Sequence, residues 1–289
     1  MPTKIEKDSV TGTETTGHEW DGVRELNTPL PKWWIYTFYV CIAFAIVYMA
    51  LYPAVPWVNG HSGGILGYTQ RDTVAANLAE AAAKQAVFRE QIANASLEEI
   101  RKNPQLFNFA TTGGRAVFNE NCVPCHRAGG AGAKGFPNLA DDDWLWGGSL
   151  AEIAQTITHG VRNSDSDSRQ SQMPRFGADG MLTPAQIGDV ADFVMTLSGG
   201  KAPVDAALRG GKLFADNCAA CHGEKGEGNR EIGAKVLDNR IWLYGGDKAT
   251  LVETITNARN SQMPAWGERF DATTIKMLTL YVHSLGGGE

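Results

Sequence analysis

A chain of 289 residues, 43% hydrophobic and 20% charged, has the composition of a folded protein with room for about two ordinary domains. Its net charge of −6 offers no basic field for nucleic acid, while a mildly acidic surface suits docking of a basic protein. Five cysteines comprise two Cys-x-x-Cys pairs and Cys41, which lies alone in an apolar run and reads as inert packing.

Residues 1–32 are polar, rich in threonine between Thr11 and Thr16 and without a helical period, so a mobile tail is expected, cytoplasmic by the argument below. The anchor is placed at 33–57. Its first 20 residues, WWIYTFYVCIAFAIVYMALY, carry no charge and as a helix would span roughly 30 Å, the hydrocarbon thickness of a bilayer. Trp33, Trp34 and Tyr36 at one end and Tyr52 and Trp57 at the other form interfacial belts. The long polar front and the missing small-residue cleavage site argue for a retained anchor over a signal peptide. Lys32 precedes the span and Arg71 is the first Lys or Arg after it, a bias that places the N-terminus in the cytoplasm. A connector at 58–110 begins with a Gly-rich loop at 60–67 and continues as an Ala-rich helix over 71–93.

The remainder is a tandem repeat, one copy at 111–199 and one at 205–289, joined by a linker at 200–204. Asn121-Cys122-Val123-Pro124-Cys125-His126 returns as Asn217-Cys218-Ala219-Ala220-Cys221-His222. Cysteines at i and i+3 share one side of a helical turn, so both thiols can add to the vinyl groups on one edge of a porphyrin, and the next histidine reaches the iron. Cys-x-x-Cys-His signals c-type haem attachment, and two copies predict two haems c, each with its iron. A zinc ribbon would bring its cysteine pairs closer and needs no such histidines; a thioredoxin dithiol needs a βαβ context that is absent. Other matches are Trp144-Leu145-Trp146-Gly147-Gly148 with Trp242-Leu243-Tyr244-Gly245-Gly246, and Thr156-Ile157-Thr158 with Thr254-Ile255-Thr256. Each copy ends in an amphipathic helix, 184–197 and 272–285. Nothing in either repeat reads as a sheet, so an all-α fold is expected, with the haem replacing much of a small core.

The repeats also nominate a sixth iron ligand. Met173 and Met263 both stand in Ser-Gln-Met-Pro, 47 residues beyond His126 and 41 beyond His222. Thioether ligation favours Fe(II) and raises the potential. The predicted metal ligands are therefore His126, Met173, His222 and Met263, with Cys122, Cys125, Cys218 and Cys221 as thioether attachments. His159 competes at the first haem but aligns with Asn257, so a shared design would not use it. In repeat one the Pro137 carbonyl is placed to accept from the axial histidine; repeat two lacks a matching proline, and its acceptor is not named by the sequence.

Both repeats resemble class I cytochrome c domains. Gly17-His18-Glu19-Trp20-Asp21-Gly22, Glu25 to Pro31, Trp33-Trp34 and Tyr52-Pro53 narrow the resemblance to CcoP (FixP), the dihaem subunit III of bacterial cbb3-type cytochrome c oxidase. The resemblance implies two tandem cytochrome c domains on one transmembrane helix in the bacterial inner membrane, with the haem domains periplasmic. It implies a non-catalytic electron-transfer subunit, reduced by a donor cytochrome c and passing electrons through a monohaem subunit toward the catalytic, oxygen-reducing subunit. Own-domain methionine ligation is the simpler expectation, but the family also admits exchange, with Met173 on haem two and Met263 on haem one. Two alternatives are a dihaem peroxidase, for which His159 would have to serve as a displaceable ligand, and a free membrane-anchored cytochrome shuttle. The aromatic tail ahead of the span is expected to dock on the oxidase.

Overall fold

The computed structural model describes residues 4–289, so the first three residues of the expected tail lie outside the described part. The chain divides into two compact units, residues 1–84 and 85–289. It is mostly helical, as expected.

In the first unit the polar tail is not featureless. Thr15–Trp20 (β1) and Val23–Leu26 (β2) form an antiparallel hairpin, which corrects the expectation of a mobile tail. Asp21 and Gly22 both adopt positive φ, 50° and 86°, the geometry of a tight turn that Asp-Gly dipeptides favour. That dipeptide was the available signal. Lys32–Leu51 (α1) follows, 20 residues long, and is the one helix among the described residues long and apolar enough to cross a membrane. It ends at Leu51, one residue before the end of the uncharged run, and the rest of the anchor segment, to 57, lies beyond the helix. Beyond it Pro56–Trp57 (β3) pairs with Gly60–His61 (β4) in a second small hairpin, within a stretch that reads as loop from sequence. Gln70–Asn94 (α2) is the expected Ala-rich helix.

The second unit opens with Leu97–Lys102 (α3), started by a capping box between Ser96 and Glu99. Pro104–Asn121 (α4) starts at an Asn103 cap, earlier than the repeat boundary suggested, and leads into Val123–His126 (α5), the turn that holds the first cysteine pair and histidine. Leu150–His159 (α6) has a Ser149/Glu152 capping box, and Pro184–Leu197 (α7) a Thr183/Gln186 box. The second repeat supplies Val204–Asn217 (α8), Ala219–His222 (α9), Lys248–Asn257 (α10) and Ala272–His283 (α11).

The sequence repeats are not the packing units. The last helix of repeat one, α7, packs on α8 and α10 of repeat two, and α11 packs on α4 and α6 of repeat one. Two close backbone crossings hold these pairs. Gly114 on α4 lies against the Met277 carbonyl of α11, and Gly210 on α8 against the Asp189 carbonyl of α7, so a Cβ at either glycine would overlap a main-chain oxygen. Beside each glycine an aromatic pair closes the contact: Phe118 with Tyr281, and Phe214 with Phe193, each with centroids 5.2 Å apart.

Candidate functional site: two histidine-methionine pockets

Each Cys-x-x-Cys-His turn sits at the end of a helix whose phenylalanine, four residues before the first cysteine, is buried. Phe118 and Phe214 are each 1% exposed. Both motifs line a connected, largely apolar cavity of about 430 Å³. The histidines are set by main-chain carbonyls. His126 Nδ1 donates to Pro137 O at 3.0 Å, as the sequence suggested, and His222 Nδ1 donates to Lys235 O at 2.9 Å. A carbonyl only accepts, so Nδ1 carries the proton and Nε2 keeps its lone pair for a metal. Burial lowers both imidazole pKa values, more than the carbonyl bonds raise them, and so favours the neutral form that ligates. Burial, with the neighbouring thiol adding, pushes Cys122 and Cys218 up to about 11.

Lys235 is the acceptor that sequence reading did not find. The backbone shows how to count to it. Leu139 N donates to Gly130 O and Leu237 N to Gly226 O, so the leucines are equivalent, and the acceptor stands two residues before each. A two-residue insertion between Gly228 and Leu237 concealed the match.

Met263 packs with Phe118, Ile153, Ile157 and Cys122, in the apolar cluster of the first motif. Met173 packs with Phe176, Val194, Phe214 and Cys218, in that of the second. The structure thus places each methionine in the apolar cluster of the other repeat's attachment turn, Met263 in that of Cys122 and Met173 in that of Cys218. Two hydrogen bonds between Val161 and Met263, 3.0 and 2.9 Å, fix the first of these placements.

The methionine motif extends further than Ser-Gln-Met-Pro. Arg169 and Arg259 each precede their methionine by four residues, and the two are matched in three dimensions. Arg169 stacks on Trp146 at 5.3 Å and donates from Nε to Thr156 Oγ1; Arg259 stacks on Tyr244 at 4.7 Å and donates from Nε to Thr254 Oγ1. Their recurrence in both copies was the signal, overlooked in favour of the methionines. The aromatics in turn cross the boundary between repeats. Trp146 lies against Gly233 and Tyr244 against Gly135, each glycine two residues before a histidine-binding carbonyl.

His159 is not among the residues that line the cavity. Its Nδ1 faces the Asp165 carboxylate at 3.1 Å, and with Asp165 and Asp167 it braces a surface loop.

These pockets fit a covalently held porphyrin: two thiols on one turn, an imidazole with a free Nε2, a thioether from the packed methionine, and apolar walls. Residues 112–198 match the cytochrome c family model, 205–282 the model for cytochrome c oxidase, cbb3-type, subunit III, and 12–59 the N-terminal domain of cytochrome oxidase-cbb3, FixP. The chain is 54% identical to the cbb3-type cytochrome c oxidase subunit FixP of Azorhizobium caulinodans, over 98% of this chain and 96% of that protein. It is 54% identical to the subunit CcoP of Azospirillum sp., over 98% of both chains, and 49% identical to CcoP of Cereibacter sphaeroides, over 95% of both. The chain belongs to the FixP/CcoP family. As a FixP/CcoP protein it is an electron-transfer subunit whose cytochrome c domains hold covalently bound c-type haem with iron, and its family role implies other oxidase subunits. The FixP-type N-terminal segment contains α1, which agrees with a membrane-anchored protein.

Proposed function

We propose that the chain carries two haems c and relays electrons from a donor cytochrome c toward the catalytic subunit of a cbb3-type oxidase. Cys122 and Cys125 would attach the first haem, with His126 and Met263 on its iron; Cys218 and Cys221 would attach the second, with His222 and Met173. The observation that carries this reading is the placement of each methionine in the apolar cluster of the opposite motif, which gives both pockets one imidazole and one thioether. Bound haem supplies reversible one-electron transfer. The chain supplies the rest: carbonyls that orient His126 and His222, apolar walls that exclude water, and aromatic contacts that join the two pockets.

The segments follow from this role. Residues 1–32 lie on the cytoplasmic side, 33–57 include the membrane span, 58–110 connect it to the haem domains, and both pockets face the periplasm. The hairpin, with Trp20 exposed, and the span dock on the catalytic subunit. The peroxidase reading has no support from His159, whose ring is turned to Asp165.

The test is haem counting on the purified full chain. Two haems should survive denaturing electrophoresis, and Cys-to-Ser changes in either motif should remove one. Haem b and copper should copurify from membranes, which separates a subunit from a free shuttle. One haem in the mature protein, or peroxide turnover by the isolated chain, would overturn the proposal.

A further inference from the structure

Between α6 and Met173 the first repeat carries a loop that the second lacks. In repeat two the C-cap of α10, Ala258, is followed at once by Arg259, whereas eight residues stand between the C-cap Gly160 of α6 and the equivalent Arg169. The extra residues are closed by their own hydrogen bonds. Arg169 N donates to Gly160 O, Arg162 N to Arg169 O, Asn163 N to Ser168 Oγ and Asp165 N to Asn163 Oδ1, while Asn163 Nδ2 reaches Met263 O. His159 and Asp165 pin the far side.

The loop holds Arg162 in the left-handed region, φ 52°, with its side chain against the cavity that both motifs line. Nε and Nη1 of that guanidinium are buried and have no hydrogen-bond partner among the described residues. Burial pulls its pKa below the ordinary arginine value. A guanidinium of this kind needs an anion. Asp143 is the one acidic residue in the cavity lining, and it is bound to Lys235.

We infer that Arg162 anchors a propionate carboxylate of a bound haem at the boundary of the two pockets, through charge-assisted hydrogen bonds from Nε and Nη1. This rests on the haem reading above, since the propionates are the anions a c-type haem brings to an apolar cavity. A cation near the iron also favours the reduced state, so Arg162 raises the potential of the haem it touches. The loop therefore makes the two otherwise matched sites unequal.

The experiment uses the full chain matured with its haems, as wild type, Arg162→Gln and Arg162→Lys. Spectroelectrochemical titration reads both midpoints, and redox-difference infrared spectra read the propionate carboxylate stretch. The expected result for R162Q is full haem loading, a lower midpoint for one haem and a moved carboxylate band, with R162K recovering most of the midpoint. Unchanged midpoints and carboxylate bands in R162Q with both haems present overturn the inference. If R162Q does not accumulate, R162K decides: a fork-shaped pair replaced by a point charge must move the carboxylate band, and an unmoved band overturns it. A wild-type chain without covalent haem would instead refute the parent reading, whatever Arg162 does.

Discussion

The two pockets are built on one plan and differ where their closing helices dock. In the first, Met277 of α11 lies over Gly113 of α4, and Leu280 shares a buried cluster with Leu150 at the start of α6. In the second, the same four places hold charged residues. Asp189 of α7 makes a two-pronged pair with Arg209 of α8, at 2.8 and 2.7 Å, and the buried Asp192 meets Lys248 at the start of α10, at 2.7 Å. Had each repeat closed with its own helix, Asp192 would face Leu150 and Leu280 would face Lys248. A carboxylate would be buried against a leucine and an ammonium would lose its partner, both unfavourable. Apolar matched with apolar and charge with charge selects the exchanged arrangement, an instance of specificity set by what the wrong pairing would cost.

The largest effect expected from breaking this comparison is at the methionines. Met263→Leu should abolish the methionine-to-iron charge-transfer band of the haem bound at Cys122 and Cys125 and leave the other intact, with Met173→Leu doing the reverse. Each variant is combined with a Cys-to-Ser change that removes one haem, so absorbance assigns the band; the opposite pattern would mean own-repeat ligation.

Next come the backbone crossings. Gly210→Ala forces α8 off the Asp189 carbonyl and Gly114→Ala forces α4 off the Met277 carbonyl, each costing about 1–3 kcal/mol as overpacking. Denaturant unfolding followed by haem absorbance should show the second pocket weakened by the first change and the first pocket by the other.

An effect no larger is expected at Lys248, whose side chain is half exposed. Lys248→Leu leaves the Asp192 carboxylate buried without its partner, at about 1–3 kcal/mol. The double change to leucine at 192 and 248 should recover most of that, since it recreates the Leu150–Leu280 contact. A double mutant no more stable than the single one would show that the pair does not select the partner helix.

The smallest effect concerns acid. The Asp165 carboxyl is held below the usual carboxylate range, chiefly by the Asp167 N–H, then by His159 and Ser168. A depressed pKa contributes stability that is present above the unfolded value, about 3.9, and is lost as pH falls through the folded one. Protection factors across residues 160–169, taken relative to intrinsic amide exchange at each pH, should fall on acidification through that window, and Asp165→Asn should show lower protection already at neutral pH. The second pocket has no such loop to respond.

Much of this protein was legible in its residues because the decisive signals are local. Cys-x-x-Cys-His needs one helical turn, α1 needs only an uncharged run, and α7 is placed at Pro184–Leu197 by its own period. The Asp-Gly hairpin is equally local, but its signal is a turn dipeptide and not a helical period. What the sequence could not determine by itself was which repeat's motif each methionine packs beside. The Ser-Gln-Met-Pro motifs and amphipathic helices are the same in either arrangement, and a connection from α6 through Met173 to α7 closes either pocket. Tertiary packing decided it: Gly114 and Gly210 open a close approach for a particular helix, and the Asp192–Lys248 pair stands where the other half has leucines. The Lys235 carbonyl and the buried Arg162 guanidinium belong to the same class, because neither a backbone acceptor nor a missing partner is visible until the chain has closed around it.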